Sequence, residues 1–152
     1  MSKTGPIPFD MSRHVRDTCL CLHVQRTARA LSRGFDEAFR PLRLTSGQFS
    51  LLVSLNRPEP ASMSSVASLL LVDRTTLTAA LKPLERRGLV KVVVDEKDRR
   101  SRLMKLNAKG RALLSRAVPV WEKTHIALEM RLAGADPRRL RNDLHVLADS
   151  PN

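Results

Sequence analysis

Apolar residues recur at spacings of three, four and seven along much of this chain, the pattern of amphipathic helices. Val24, Ala28, Leu31, Phe35 and Leu42 form one such stripe, predicting a long helix over about 13–40 that Pro41 ends. Thr45 and Gln48 have the spacing of a capping box and open a second helix to about 56; Pro58 and Pro60 then break the chain. Ser62 reads as the N-cap of a short third helix, with Met63, Val66, Ala67 and Leu70 on its buried face. A turn over 71–73 leads into a fourth helix, 74–87, stopped by Gly88. Two short helices joined by a three-residue turn suit a helix-turn-helix.

After Gly88 the period changes. Residues 89–94 (LVKVVV) are β-branched and strand-like, 95–102 (DEKDRRSR) form a charged loop, and 103–106 (LMKL) turn apolar again, which together predict a β-hairpin, or wing. Asn107 caps a fifth helix to about 132, with a bend expected at Pro119 and a stop at Gly134; Asp136 and Pro137 open a sixth. The expected fold is mainly α with a small β-hairpin (α+β). It divides into an N-terminal arm and first helix (1–42), a winged helix-turn-helix (43–108) and C-terminal helices (109–152).

Charge narrows the partners. There are 27 Lys and Arg against 15 Asp and Glu, a formal +12 over 152 residues, which favours a polyanion. Between Arg74 and Arg116 stand 13 Lys/Arg and four acids, so +9 of that surplus sits on the predicted recognition helix, the wing and the start of the next helix. Aromatics are scarce: Phe9, Phe35, Phe39, Phe49 and Trp121, with no Tyr. Single-strand and RNA binders stack bases on aromatic rings, whereas a duplex is read by helices in grooves and by cations on phosphates. Duplex DNA is the favoured partner.

The fourth helix has two distinct faces. Leu77, Leu81 and Leu84 fall within a narrow arc, with Thr75, Ala79, Lys82 and Arg86 opposite and Thr78 at the flank. A merely solvated face usually mixes Glu with Lys; here Glu85 is the sole acid, and the small, hydroxylated, basic face suits a major groove.

Other functions find less support. His14, His23, His125 and His145 are scattered, with no metal-ligand spacing, no phosphate-cradling glycine loop and no Ser/His/Asp arrangement, so neither enzyme, metal nor cofactor is expected. No apolar run approaches the roughly 20 residues of a membrane span, and Met1–Asp10 lacks the plan of a signal peptide. Cys19 and Cys21 fit a reducing compartment, and the expected location is cytoplasmic. A nonspecific basic DNA- or RNA-binding protein stays open as an alternative.

Five runs, LTSGQFSLL (44–52), VDRTTLT (72–78), LERRGLV (84–90), DRRSRL (98–103) and LNAKG (106–110), resemble in order and spacing the multiple antibiotic resistance regulator (MarR) family of bacterial repressors. The resemblance implies a homodimer built from the first helix and the last two. It also implies recognition helices in successive major grooves of a pseudopalindromic operator, with wing tips in the minor groove. By match to the family, Arg74, Thr75, Thr76 and Thr78 begin the recognition helix; Lys82 and Arg86 are added from helical geometry. Asp98 and Arg100 match the wing-tip pair in which the carboxylate orients the arginine, and Arg99 and Arg102 lie in the same loop. Two positions depart from the pattern: Leu71 stands where a turn glycine is common, and Pro83 lies inside the recognition helix.

The resemblance further implies release of DNA by an effector, either a small aromatic or phenolic molecule or an oxidant acting on a cysteine. For the former, His23, Gln48, Phe49 and Trp121 are the candidate pocket between helices one, two and five. For the latter, Cys21 lies on the apolar stripe at the position of a reactive cysteine in some relatives, whose partner tyrosines this chain lacks. A small residue packed in a dimer core is the alternative reading of Cys21. Cys19, two residues earlier on the same helix, points some 200° away from Cys21, which argues against a bond between them.

Overall fold

In a computed structural model that describes residues 5–149, the long first helix is two helices. Helix α1 (Phe9–Thr18) and α2 (Leu20–Phe39) meet at Cys19, whose backbone is extended at φ −69° and ψ 107°. No Gly or Pro marks the break, so hydrophobic periodicity alone carries no sign of it. The outermost residues of the first and last expected segments, 1–4 and 150–152, lie outside the described residues, as does the start of the Met1–Asp10 stretch.

A 3-10 turn (Arg40–Leu42) closes α2 and leads to α3 (Ser46–Leu55). The capping box forms: Gln48 N–H donates to Thr45 Oγ1 and Thr45 N–H to Gln48 Oε1, both at 3.1 Å. Strand β1 (Ala61–Ser62) precedes α4 (Met63–Leu70), where Ser62 accepts the Ser65 N–H as N-cap. Helix α5 (Arg74–Arg86) follows, then β2 (Val90–Val94), β3 (Arg102–Leu106), α6 (Ala108–Met130) and α7 (Pro137–Ala148). Helix α6 runs as one helix through Pro119.

The core gathers between these elements. Phe39, Leu51, Leu52, Leu55, Val66, Leu77, Leu84, Leu89 and Met104 are almost wholly buried, each removal from water stabilising the fold by about 1.5–3 kcal/mol. Phe35, Phe39 and Phe49 stack in series, joining α2 to α3.

The antiparallel sheet runs in the order β1-β3-β2, with Val92 opposite Met104 on one side and Ala61 opposite Met104 on the other. Strand β1, which directly follows Pro60 and is two residues long, is too short for an alternation pattern to reveal. At the base of the hairpin the chain passes itself closely. Gly88 takes φ +69° to end α5, and a Cβ on Gly110 would lie 2.1 Å from the Leu89 carbonyl oxygen. Only glycine fits there.

The two ends of the chain pack little. Helices α1 and α7 bury none of their residues, and α2 buries only Phe39. Arg141 of α7 donates to Glu129 of α6 at 2.6 Å, and His125 lies 3.0 Å from the same carboxylate. Together they hold the Glu129 carboxyl below the usual range, Arg141 contributing most. Among the described residues no helix is long and apolar enough to cross a membrane.

Candidate nucleic-acid interface

The turn before α5 keeps the shape a glycine would allow although Leu71 occupies it. Leu71 sits in the left-handed region (φ 51°, ψ 46°) as the C-cap of α4. A side chain there costs about 1 kcal/mol of backbone energy, which the surrounding hydrogen bonds outweigh. The Leu71 N–H donates to Ser68 O and the Val72 N–H to Ala67 O.

Helix α5 starts at Asp73, an N-cap that the helix pattern left unassigned although Asp directly before a helix is a recognised start signal. Asp73 accepts the Thr76 N–H at 2.7 Å and the Thr76 hydroxyl at 2.9 Å, and these bonds hold its carboxyl below the ordinary value. Leu77, Leu81 and Leu84 face the core as expected. Arg74, Thr75, Thr76, Thr78, Lys82 and Arg86 are all exposed, and Pro83 does not end the helix.

The four positions at the helix start are not equivalent. Thr76 spends its hydroxyl proton on Asp73, and Thr78 donates to Arg74 O at 2.8 Å. Thr75 alone of the three has a hydroxyl without a partner among the described residues, and no ion pair there engages Arg74, Lys82 or Arg86.

The wing is built on two aspartate turns. Asp95 accepts the Lys97 N–H at 2.9 Å, and Asp98 accepts the Arg100 N–H at 3.0 Å. Ser101 N–H donates to Asp98 O and Asp95 N–H to Ser101 O, closing the loop. The Asp98 carboxylate thus orients Arg100 through its backbone; it forms no ion pair with the guanidinium. Arg102 folds its guanidinium back onto Arg99 O and Ser101 O, so Arg99 and Arg100 are the more available cations at the tip.

Each of the four residues expected to share an effector pocket has a near partner of its own, and Trp121 packs against the core cluster that contains Phe49. Gln48 is committed to the α3 cap, Phe49 is buried against Phe39, and Trp121 stacks on His125 at 4.8 Å. His23, exposed on α2, lies 3.2 Å from Asp17 O. Cys21 is exposed, with Gln25 Nε2 donating to its Sγ at 3.3 Å, while Cys19 is half-buried at the helix break. Because Cys19 is extended backbone between α1 and α2, a single helical rotation does not relate it to Cys21, contrary to the expected 200°. Among the described residues no group of His, Cys, Asp or Glu could hold a metal ion.

Residues 44–101 match the model of the MarR family. The fold aligns with the M. tuberculosis transcriptional regulator MosR in complex with DNA at a TM-score of 0.75 and 39% identity, covering 85% of this chain and 92% of that one. The transcriptional regulator TtmR of Methylorubrum extorquens is 33% identical over 139 residues, 88% of this chain and 71% of its own. Some curated relatives are matched over little more than half their length: BadR of Rhodopseudomonas palustris, a transcriptional activatory protein, is 38% identical over 95 residues, 60% of this chain and 54% of BadR.

Proposed function

Because this chain belongs to the MarR family, a family of DNA-binding transcriptional regulators and not of enzymes, we propose that it acts as a dimeric repressor reading a pseudopalindromic operator and released by a small-molecule effector. The observation that carries the DNA-reading part is the outer face of α5. Its side chains are exposed, and its cations have no ion-pair partner among the described residues. Thr75 and Thr78 stand at the base edges: Thr75 offers a free hydroxyl, Thr78 a methyl and lone pairs. Arg74, Lys82 and Arg86 face phosphates, while Arg99 and Arg100, held out by the Asp98 turn, reach the adjoining minor groove.

Dimerisation is supported by the helices at either end. Phe9, Leu20, Met130, Leu140, Leu144 and Leu147 are between 42% and 76% exposed in the single chain, apolar side chains gathered on the terminal helices where a partner would cover them. A second copy joined through α1, α2, α6 and α7 covers it and sets two recognition helices about 34 Å apart, one turn of DNA. The segments 1–42 and 109–152 are then the dimerising parts and 43–108 the reading part. An oxidant-released mechanism is favoured by one observation: Cys21 is a free thiol exposed on α2, open to an oxidant in solution.

Fluorescence anisotropy on DNA selected from a random pool, against random duplex, tests the reading across a range of salt. A preference of about a thousandfold or more is expected. Equal affinity for both would make this a nonspecific basic DNA-binding protein.

A further inference from the structure

Side-chain hydrogen bonds from two distant elements converge on residues 42–46, where the arm formed by α2 hands over to α3. Arg87, the C-cap of α5, donates from Nη1 to Arg43 O at 2.6 Å and from Nη2 to Leu42 O at 3.4 Å. Asp36 of α2 accepts the Ser46 N–H at 2.6 Å, which fixes the first residue of α3 to the arm. Between these anchors Arg43 lies in the left-handed region (φ 54°, ψ 41°), a bend that a side-chain-bearing residue keeps only where its surroundings hold it. Arg87 and Asp36 are both half-buried, so water competes poorly for their bonds.

A guanidinium suits this junction. It is planar and always charged, and its fork holds two carbonyls at once, each bond strengthened by the charge. No carboxylate pairs with Arg87 among the described residues. The threonine hydrogen bonds of α5 stay within the helix and its cap, Thr76 to Asp73 and Thr78 to Arg74. Arg87 thus carries the polar tie between the recognition helix and the turn that ends the arm.

That tie acts at the end of a lever. Helix α5 has 13 residues, about 20 Å at the helical rise, with Thr75 near the end opposite Arg87. A swing of about 10° around the Arg87 end carries Thr75 through about 3–4 Å, roughly one base-pair step.

We propose that Arg87 is a positioning residue that sets the half-site spacing the dimer accepts. It fixes the tilt of α5 against the arm, while Asp36 fixes the turn that Arg87 grips. On the dimeric operator reading above, on which this rests, Arg87 discriminates between operators without touching a base.

Arg87→Met keeps the length and apolar stem of the side chain and removes both bonds, whereas Arg87→Lys keeps the charge and loses the fork. Each full-length variant is titrated by anisotropy against the selected operator, the same operator with one base pair inserted or removed between half-sites, and a duplex with one half-site scrambled. The parent should lose about tenfold or more in affinity when the spacing changes. Arg87→Met should flatten that preference to about threefold or less, with Arg87→Lys between, while both bind the single half-site as the parent does. An unchanged spacing profile would overturn the role. So would a uniform loss on every duplex, the mark of a weakened fold. A salt slope for random DNA that falls by about one in Arg87→Met would place the side chain on a phosphate and overturn it as well. A parent chain that binds the single half-site as tightly as the operator would instead refute the dimeric reading, so the two failures are distinct.

Discussion

The Asp98 carboxylate accepts the backbone N–H of Arg100 at 3.0 Å and leaves the Arg100 guanidinium unpaired. Orientation of the wing arginine is thus a property of the turn, and it needs an acceptor at position 98 rather than a charge. Arg100→Ala should weaken operator binding by about 1–3 kcal/mol. Asp98→Asn, which keeps the acceptor, should retain most of the affinity, and Asp98→Ala should lose affinity through a looser loop. Anisotropy on the selected operator reads all three; equal losses for Asp98→Asn and Asp98→Ala would return the role to the charge.

At the recognition helix the three threonines should behave differently. Thr75→Ala should relax base preference at one position of each half-site with little change in melting temperature. Thr76→Val, which removes the hydroxyl bound to Asp73, should lower the melting temperature instead. Selection of bound DNA paired with thermal melts separates the two effects.

Asp73 also gives a pH dependence with a fixed sign. Its carboxyl titrates below the ordinary 3.8, first because of the Thr76 backbone N–H and next because of the Thr76 hydroxyl. A carboxyl depressed in the folded state adds stability in full above the unfolded value and loses it as pH falls from there through the folded one. Stability should therefore drop below about pH 4, less steeply in Asp73→Asn, as denaturant titrations across the acid range would show.

Gly110 offers a sharper stability test. Within a helix, Gly→Ala ordinarily stabilises by about 0.5–1 kcal/mol. Here the new methyl meets the Leu89 carbonyl at 2.1 Å, and backbone must move, so Gly110→Ala should destabilise by about 1–3 kcal/mol in chemical denaturation. An unchanged or raised midpoint would mean the α6–Leu89 junction yields freely.

The exposed apolar ends predict an association defect. Met130→Glu with Leu144→Glu should shift the chain toward monomer in sedimentation and cost most of its operator affinity, leaving the helical content near that of the parent. A monomeric parent chain would remove the basis for this expectation.

Elements with a strong local signal were readable from the chain. The capping box at Thr45 and Gln48, the N-caps Ser62 and Asn107 and the stop at Gly88 each follow from one residue type at one position. The leucine face of α5 follows from spacing alone. The rest depends on contacts distant in sequence. The break at Cys19 lies in a stripe whose period is uninterrupted, and β1 exists because β3 supplies its partner. The pocket candidates follow from helix assignment, whereas the partners their side chains take, a cap, a stacked ring or a carbonyl, depend on the folded chain.

Ser62 is at once the last residue of β1, paired with Leu103 in the wing's inner strand, and the N-cap of α4. The inner strand of the wing is therefore joined to α4 through β1 with no loop between them, as its outer strand is joined to α5 through residues 87–89. The wing tip and the two helices of the helix-turn-helix are thus parts of one hydrogen-bonded frame, so the angle at which Arg100 meets one groove is set together with the angle at which α5 meets the next.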